Sequence, residues 1–146
     1  MSPEAYQAEG IPINLSVSDL NFLKTAIIKS SRNRSRICTH NNADEKLHEM
    51  FVIYGKETYV RPNRHFGKDE SVFVLEGACD IYFFDLDGSV TDVVELDASN
   101  SKSPYFCRIP KEIYHTVVIK STQVILFEAT SGPFEPADTY YADWSP

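Results

Sequence analysis

Residues 61–77 read RPNRHFGKDESVFVLEG, and residues 109–119 read IPKEIYHTVVI. In the first stretch Asn63 and His65 stand two apart, so on an extended segment both side chains share one face, together with Tyr59 and Arg61. Glu70 follows after four intervening residues, room enough for the chain to turn and return a carboxylate to the same place. Gly77 follows after six more. In the second stretch His115 precedes Val117 and Ile119 on one strand face, a polar head beside an apolar wall. Two imidazoles and a carboxylate are suitable ligands for a divalent transition metal, and they leave coordination positions open for water or substrate. His65, Glu70 and His115 are therefore the candidate metal ligands, with Asn63 a further candidate, although an amide oxygen is a poorer donor than imidazole.

Around these stretches the chain reads as β-structure. Short segments rich in β-branched and aromatic residues alternate with turn signals from about Arg34 onward. Strands are expected over 35–41, 49–53, 58–61, 71–76, 79–85, 91–96, 105–109, 115–119 and 124–129. Asp87-Gly88 marks a hairpin, because glycine tolerates the positive φ such a turn needs, and ASNSKSP (98–104) is a loop. Many short strands without alternating helices predict an antiparallel sandwich or barrel. Residues 1–15 read as irregular, and a helix is expected over 19–29, capped by Ser18, with Leu20, Leu23 and Ile27 on one face. The division expected is an N-terminal extension and helix, 1–33, followed by one compact unit, 34–146. Trp144, in the final segment, is expected to lie across the main body.

Composition narrows the function classes. The 146 residues suit one domain, and no apolar run approaches the length of a membrane span. The opening MSPEAYQAEG lacks the features of a secretory signal, which predicts a cytoplasmic location. Cys38, Cys79 and Cys107 are odd in number and lack CxxC spacing, so they are expected to be ordinary reduced thiols. A net charge of −7 disfavours nucleic acid as a partner. The exception is the basic run KSSRNRSRICTH (29–40), in which Arg34, Arg36 and His40 are candidates for contact with an anionic ligand, against the alternative of a solvated connector. His40 and Tyr82 are candidate acid–base groups, and Tyr59, Arg61 and Phe127 candidate ligand contacts.

The two stretches resemble the cupin superfamily, whose motifs read G(X)5HXH(X)3-4E(X)6G and G(X)5PXG(X)2H(X)3N. Asn63, His65, Glu70 and Gly77 match the first, and Pro110 and His115 the second. Glu57 stands in place of the opening glycine, Asn63 of the first histidine, Glu112 of the glycine after Pro110, and Ile119 of the final asparagine. The resemblance implies an all-β double-stranded β-helix, or jelly-roll barrel, with a short N-terminal helix added here. More closely, the chain is similar to the WbuC family of small cupin-fold metalloproteins associated with bacterial O-antigen gene clusters. That similarity is carried by RSRICTH, the HEM at 48–50, YVRPNRH, ES and LEG, FFDLDG, IPKEIYHT, FEATSGPF and DWSP. It implies a setting in O-antigen metabolism. With the donor set and the basic run, the expected cofactor is a divalent transition metal (Zn, Fe, Mn or Ni) and the expected partner a small, sugar-derived and anionic ligand; exposed sheet edges and the family analogy predict a homodimer. The activity expected is isomerase or epimerase-like, with dioxygen chemistry as a variant. A noncatalytic sugar-binding cupin and a metal-free sugar isomerase are the alternatives.

Overall fold

The computed structural model describes residues 2–146 and consists of eleven strands and one α-helix with two short 3-10 turns. The strands are β1 (Ala5–Gln7), β2 (Arg34–Cys38), β3 (Leu47–Gly55), β4 (Asn63–His65), β5 (Glu70–Glu76), β6 (Ala78–Phe84), β7 (Val90–Asp97), β8 (Phe106–Ile109), β9 (Tyr114–Ile119), β10 (Gln123–Ser131) and β11 (Thr139–Tyr141). They form a six-stranded sheet, in the order β1-β2-β3-β10-β5-β8, that faces a five-stranded sheet, β11-β4-β9-β6-β7. Among the described residues, only the β1–β2 pair is parallel. The expected all-β, antiparallel architecture is the one observed.

Alternation along the strands sorts their side chains into layers. On β5, β9 and β10 the residues Val72 and Val74, Val117 and Ile119, and Val124 and Leu126 point between the sheets, where they pack with Cys79, Ile81, Phe83, Leu96, Cys107 and Ile109. On the outer face of the larger sheet, Ile37, Ile53 and Ile125 meet Leu23 and Ile27 from the helical segment. Fully burying one such aliphatic side chain stabilises by roughly 1.5–3 kcal/mol, so this second layer fastens the helix to the sheet. The three cysteines are free and buried, Cys79 and Cys107 in the layer between the sheets, and burial pushes the Cys79 thiol up to about 12.

Local signals differ from expectation in four places. The helix, α1, spans Val17–Ala26 and continues as a 3-10 turn over Ile27–Lys29. Its N-cap is Ser16 rather than Ser18, because the Asp19 carboxylate reaches back to accept from the Ser16 N–H (2.7 Å) and hydroxyl (2.9 Å), satisfying donors that a helix start leaves open. Residues 1–15 are not wholly irregular, since β1 adds to the edge at β2. The strand expected over 58–61 forms instead at Asn63–His65. Pro62 lacks the N–H that a ladder through it would need, and the Val60 carbonyl accepts from the Thr116 hydroxyl. Finally, β11 pairs with β4, a strand that TYY does not announce in the sequence.

The remaining turns follow their residues. Gly88 has φ 89° in the β6–β7 hairpin, where its N–H donates to the Asp85 carbonyl at 3.1 Å. A Cβ at this position would also come within 2.9 Å of the Trp144 ring. Trp144, which keeps 36% of its surface exposed, packs there on Phe84 and Tyr114, with ring centroids 5.0 and 5.8 Å away. The tail thus lies across the outside of the smaller sheet. Gly77 (φ 78°) turns β5 into β6, and a Cβ on it would meet the Gln123 carbonyl at 2.3 Å.

Candidate metal centre

The interior is not apolar throughout. Continuing the inward parity of three strands by two residues reaches Glu70 on β5, His115 on β9 and Glu128 on β10, and all three line a cavity of about 970 Å³. That volume lies within the range of small-molecule sites. Asn63 and His65 enter the same space from β4, where Asn63 pairs directly with His115 across the ladder. Glu70 belongs to the larger sheet and the histidines to the smaller, so the cluster bridges the two.

His65 Nε2 lies 3.3 Å from Glu70 Oε1, and His115 Nε2 lies 3.0 Å from Glu70 Oε2. One ligand atom from each of the three residues falls within 4.8 Å of the others, a donor set and spacing that fit a divalent transition metal. The far side of each ring is also held. His115 Nδ1 is 3.0 Å from the Ile113 carbonyl, which can only accept, so Nδ1 carries a proton. His65 Nδ1 is 3.1 Å from the Thr139 hydroxyl. The Asn63 amide nitrogen donates to the Arg61 carbonyl at 3.0 Å.

The electrostatics reflect this pairing. Burial pushes the Glu70 carboxyl up, but hydrogen bonds from His115 and His65, together with their charge, outweigh it and hold the group at about 2. Burial alone would lower His115; the Glu70 hydrogen bond and charge raise it instead. Glu128 behaves in the opposite way. Its exposed surface faces the cavity, the surrounding protein desolvates it, and the charge of Glu70 adds to that, so it rises to about 7. The Tyr54 hydroxyl donates to Glu128 Oε1 at 3.4 Å, and burial pushes that phenol well above its usual value.

Of the residues singled out from sequence, Arg34, Arg36, Tyr59, Arg61, Asn63, His65, Glu70 and His115 line this cavity. Two of them are already engaged by the tail. Arg61 donates to the Ala142 carbonyl at 2.9 Å, and the Tyr59 hydroxyl to the Pro146 carbonyl at 3.0 Å. Arg34 lies 3.8 Å from Glu4, which also pairs with Arg32, and Arg36 is more exposed than Arg34.

His40, Tyr82 and Phe127 are placed elsewhere. The strand that turns Arg34 and Arg36 inward ends at Cys38, and His40 stacks instead on His48 with centroids 4.0 Å apart. Tyr82 lies between inward-facing Ile81 and Phe83, so it faces outward and stacks on Phe84. Phe127 shares the outward parity of Ile125 and meets Phe51 at 5.2 Å. Sequence reasoning missed Tyr54, Glu128 and Thr139. The first two were findable by extending the parity of Val52 and of Leu126; Thr139 carries no signal of its own.

Comparison with known proteins gives the architecture its name. None of the curated proteins matches the sequence. Among solved structures, CapF, the capsular polysaccharide assembling protein of Staphylococcus aureus, superposes with a TM-score of 0.60 at 20% identity, over 77% of this chain and 32% of CapF. The chain therefore spans about a third of that protein's length. L-ribose isomerase of Cellulomonas parahominis, solved with L-psicose, gives 0.61 at 13% identity, over 77% of this chain and 70% of the isomerase. Oxalate decarboxylase of Bacillus subtilis gives 0.53 at 12% identity, over 67% of this chain and 24% of the decarboxylase. These are cupin-fold proteins, and the two facing sheets found here are the cupin double-stranded β-helix. A family model described as a domain of unknown function, DUF6016, matches residues 15–96, more than half of the chain and a span that includes Asn63, His65 and Glu70, and the protein belongs to that family.

Proposed function

We propose that the protein is a divalent-metal cupin that binds and isomerises or epimerises a small, anionic, sugar-derived molecule. The observation that carries this reading is the convergence of His65, Glu70 and His115 in a cavity whose other walls supply Arg34, Arg36, Tyr54 and Glu128. His65, Glu70 and His115 would hold a Zn, Fe, Mn or Ni ion, with Asn63 beside them. When bound, such an ion polarises a carbonyl or hydroxyl oxygen of the ligand.

The chain's own residues supply the rest. Glu128 lies outside the three-residue cluster, and its carboxyl, raised to about 7, is suited to both taking and returning a proton near neutral pH. Tyr54 holds that carboxyl in place. Arg36, and Arg34 to the extent that Glu4 leaves it free, would hold a phosphate or carboxylate through paired N–H donors. Glu128, held by Tyr54, takes the acid–base role that the sequence reading gave to His40 and Tyr82. The similarity to WbuC sequences supports a setting in O-antigen metabolism, and the neighbouring sugar isomerase and capsule protein are in keeping with a carbohydrate ligand. A homodimer joined through exposed sheet edges completes the proposal, to be weighed by light scattering.

The test has two stages. Protein purified without chelator should carry about one transition metal per chain, and His65→Ala and His115→Ala should lose it. Metal-loaded protein is then incubated in D2O with aldoses and ketoses, L-ribose and L-psicose among them, and with sugar acids and nucleotide sugars. Exchange of carbon-bound protons beside the carbonyl is read by NMR. The wild type should exchange, and Glu128→Gln should slow exchange by about 10²–10⁴-fold while keeping its metal. A wild type that binds a sugar, with a raised melting temperature, but exchanges no proton would replace this reading with a noncatalytic sugar-binding cupin.

A further inference from the structure

The C-terminal strand delivers a side chain to the metal cluster. In the β4–β11 pair His65 stands directly opposite Thr139, and the register is fixed on both sides. Phe66 N–H donates to the Asp138 carbonyl at 2.8 Å, and Ala142 N–H to the Pro62 carbonyl at 2.9 Å. Lys68 and Asp138 form an ion pair at 2.9 Å just before the strand. Beyond it, Arg61, Tyr59 and the Trp144 seat hold the tail, and Ala142 is fully buried. With the backbone fixed in this way, the Thr139 hydroxyl is carried to 3.1 Å from His65 Nδ1 at the cavity wall.

The two histidines are thus anchored by unlike partners. The His115 ring is held from within its own strand region by the Ile113 carbonyl, whereas His65 depends on a hydroxyl from a segment more than seventy residues away. An imidazole that binds a metal through Nε2 gains basicity and a fixed orientation when its Nδ1–H has an acceptor. A hydroxyl can serve as that acceptor and can also donate to an unprotonated Nδ1.

We propose that Thr139 is a positioning residue for the metal centre: its hydroxyl, delivered by the C-terminal strand, turns His65 so that Nε2 faces the ion. The inference rests on the metal-binding reading given above. It makes the tail part of the site, although the tail contributes no ligand.

The test compares Thr139→Val with Thr139→Ser in the full chain, using Zn²⁺ and Mn²⁺ as probes in calorimetric titration. Valine keeps the branched shape that suits a strand and removes only the hydroxyl; serine keeps the hydroxyl. Thr139→Val should bind both ions about 10–100-fold more weakly than wild type, while Thr139→Ser stays close to it. In the metal-free protein, ¹⁵N shifts of the His65 ring should move in Thr139→Val and not in Thr139→Ser. Thr139→Ala serves in place of valine if that variant fails to fold. Equal affinity in wild type and Thr139→Val, with unmoved ring shifts, overturns the role of Thr139 alone. A wild type that takes up neither ion overturns the metal reading and this role with it.

Discussion

The two ends of the space between the sheets are built by the same strands and behave oppositely. At one end β5, β9 and β10 contribute Val74, Ile119, Val124 and Leu126 to a packed apolar layer. At the other the same three strands contribute Glu70, His115 and Glu128 to an open cavity. Middle residues such as Val72 and Val117 belong to both. The difference shows how a small sheet protein holds three ionisable groups inside. Packing at one end fixes the backbone, and the strands, being rigid, carry that precision two residues further to the site.

The most severe way to break the comparison is at the packed end. Leu126→Ala, which empties a fully buried position, should destabilise the fold by about 2–5 kcal/mol. Urea unfolding measures that loss, and the surviving folded protein should bind metal with wild-type affinity. A matching loss of affinity would show that the two ends are not separable.

At the polar end, His115→Ala should weaken Zn²⁺ binding by at least about 100-fold, since even partners that only orient ligands are worth 10–100-fold. The near-UV circular dichroism of the packed end should persist. Unchanged affinity by calorimetry would remove His115 from the ligand set.

The third prediction uses pH. Glu70, lowered from 4.5 to about 2, contributes stability above pH 4.5 that is lost as pH falls toward 2. Glu128, raised from 4.5 to about 7, costs nothing below pH 4.5 and costs progressively more as pH rises to 7. His115, raised above 6.5, stabilises below that pH and loses its contribution above it. The metal-free protein should therefore be most stable near pH 4.5–5 and decline toward pH 8. Glu128→Gln should flatten the part of the decline between 4.5 and 7, worth about 3 °C or more in Tm. Leu126→Ala should lower Tm at every pH and keep the wild-type slope, which sharpens the separation of the two ends.

The smallest effect concerns Glu112, which occupies the position of the second motif's glycine. Its φ is 67°, and its N–H donates to the His65 carbonyl at 2.8 Å. The left-handed backbone thus persists with a side chain that disfavours it. Glu112→Gly should relieve about 1–2 kcal/mol of strain against a cost of about 0.5–1 from the looser unfolded chain. The net gain, about 0.5–1 kcal/mol, would be seen as a Tm about 2 °C higher. A lower Tm would mean that the glutamate side chain contributes more than its backbone costs.

Much of this arrangement was legible in the residues themselves. The spacing of Asn63, His65, Glu70 and Gly77, with His115 later, identified a cluster that the structure assembles. Many short strands between turn signals, without alternating helices, predicted the antiparallel sheets. These are local signals, fixed by the geometry of an extended chain and by which side chains can ligate a metal. Parity explains the misplaced residues as well. Tyr82 and Phe127 sit one residue away from inward positions, and at that spacing a side chain changes face.

Sequence by itself determined the strand-rich class, the three candidate ligands and the turn at Gly88, because each is read from residue types within a short stretch, two such stretches in the case of the ligands. Only the tertiary structure decided that the Tyr54 hydroxyl meets Glu128, that Arg61 and Tyr59 are occupied by the tail, and that His65 is held by Thr139. Those contacts join segments 74 to 87 residues apart. Their partners are set by how the sheets stack and where the chain returns, and by the burial that moves Glu128 to about 7 while its neighbour Glu70 stays near 2.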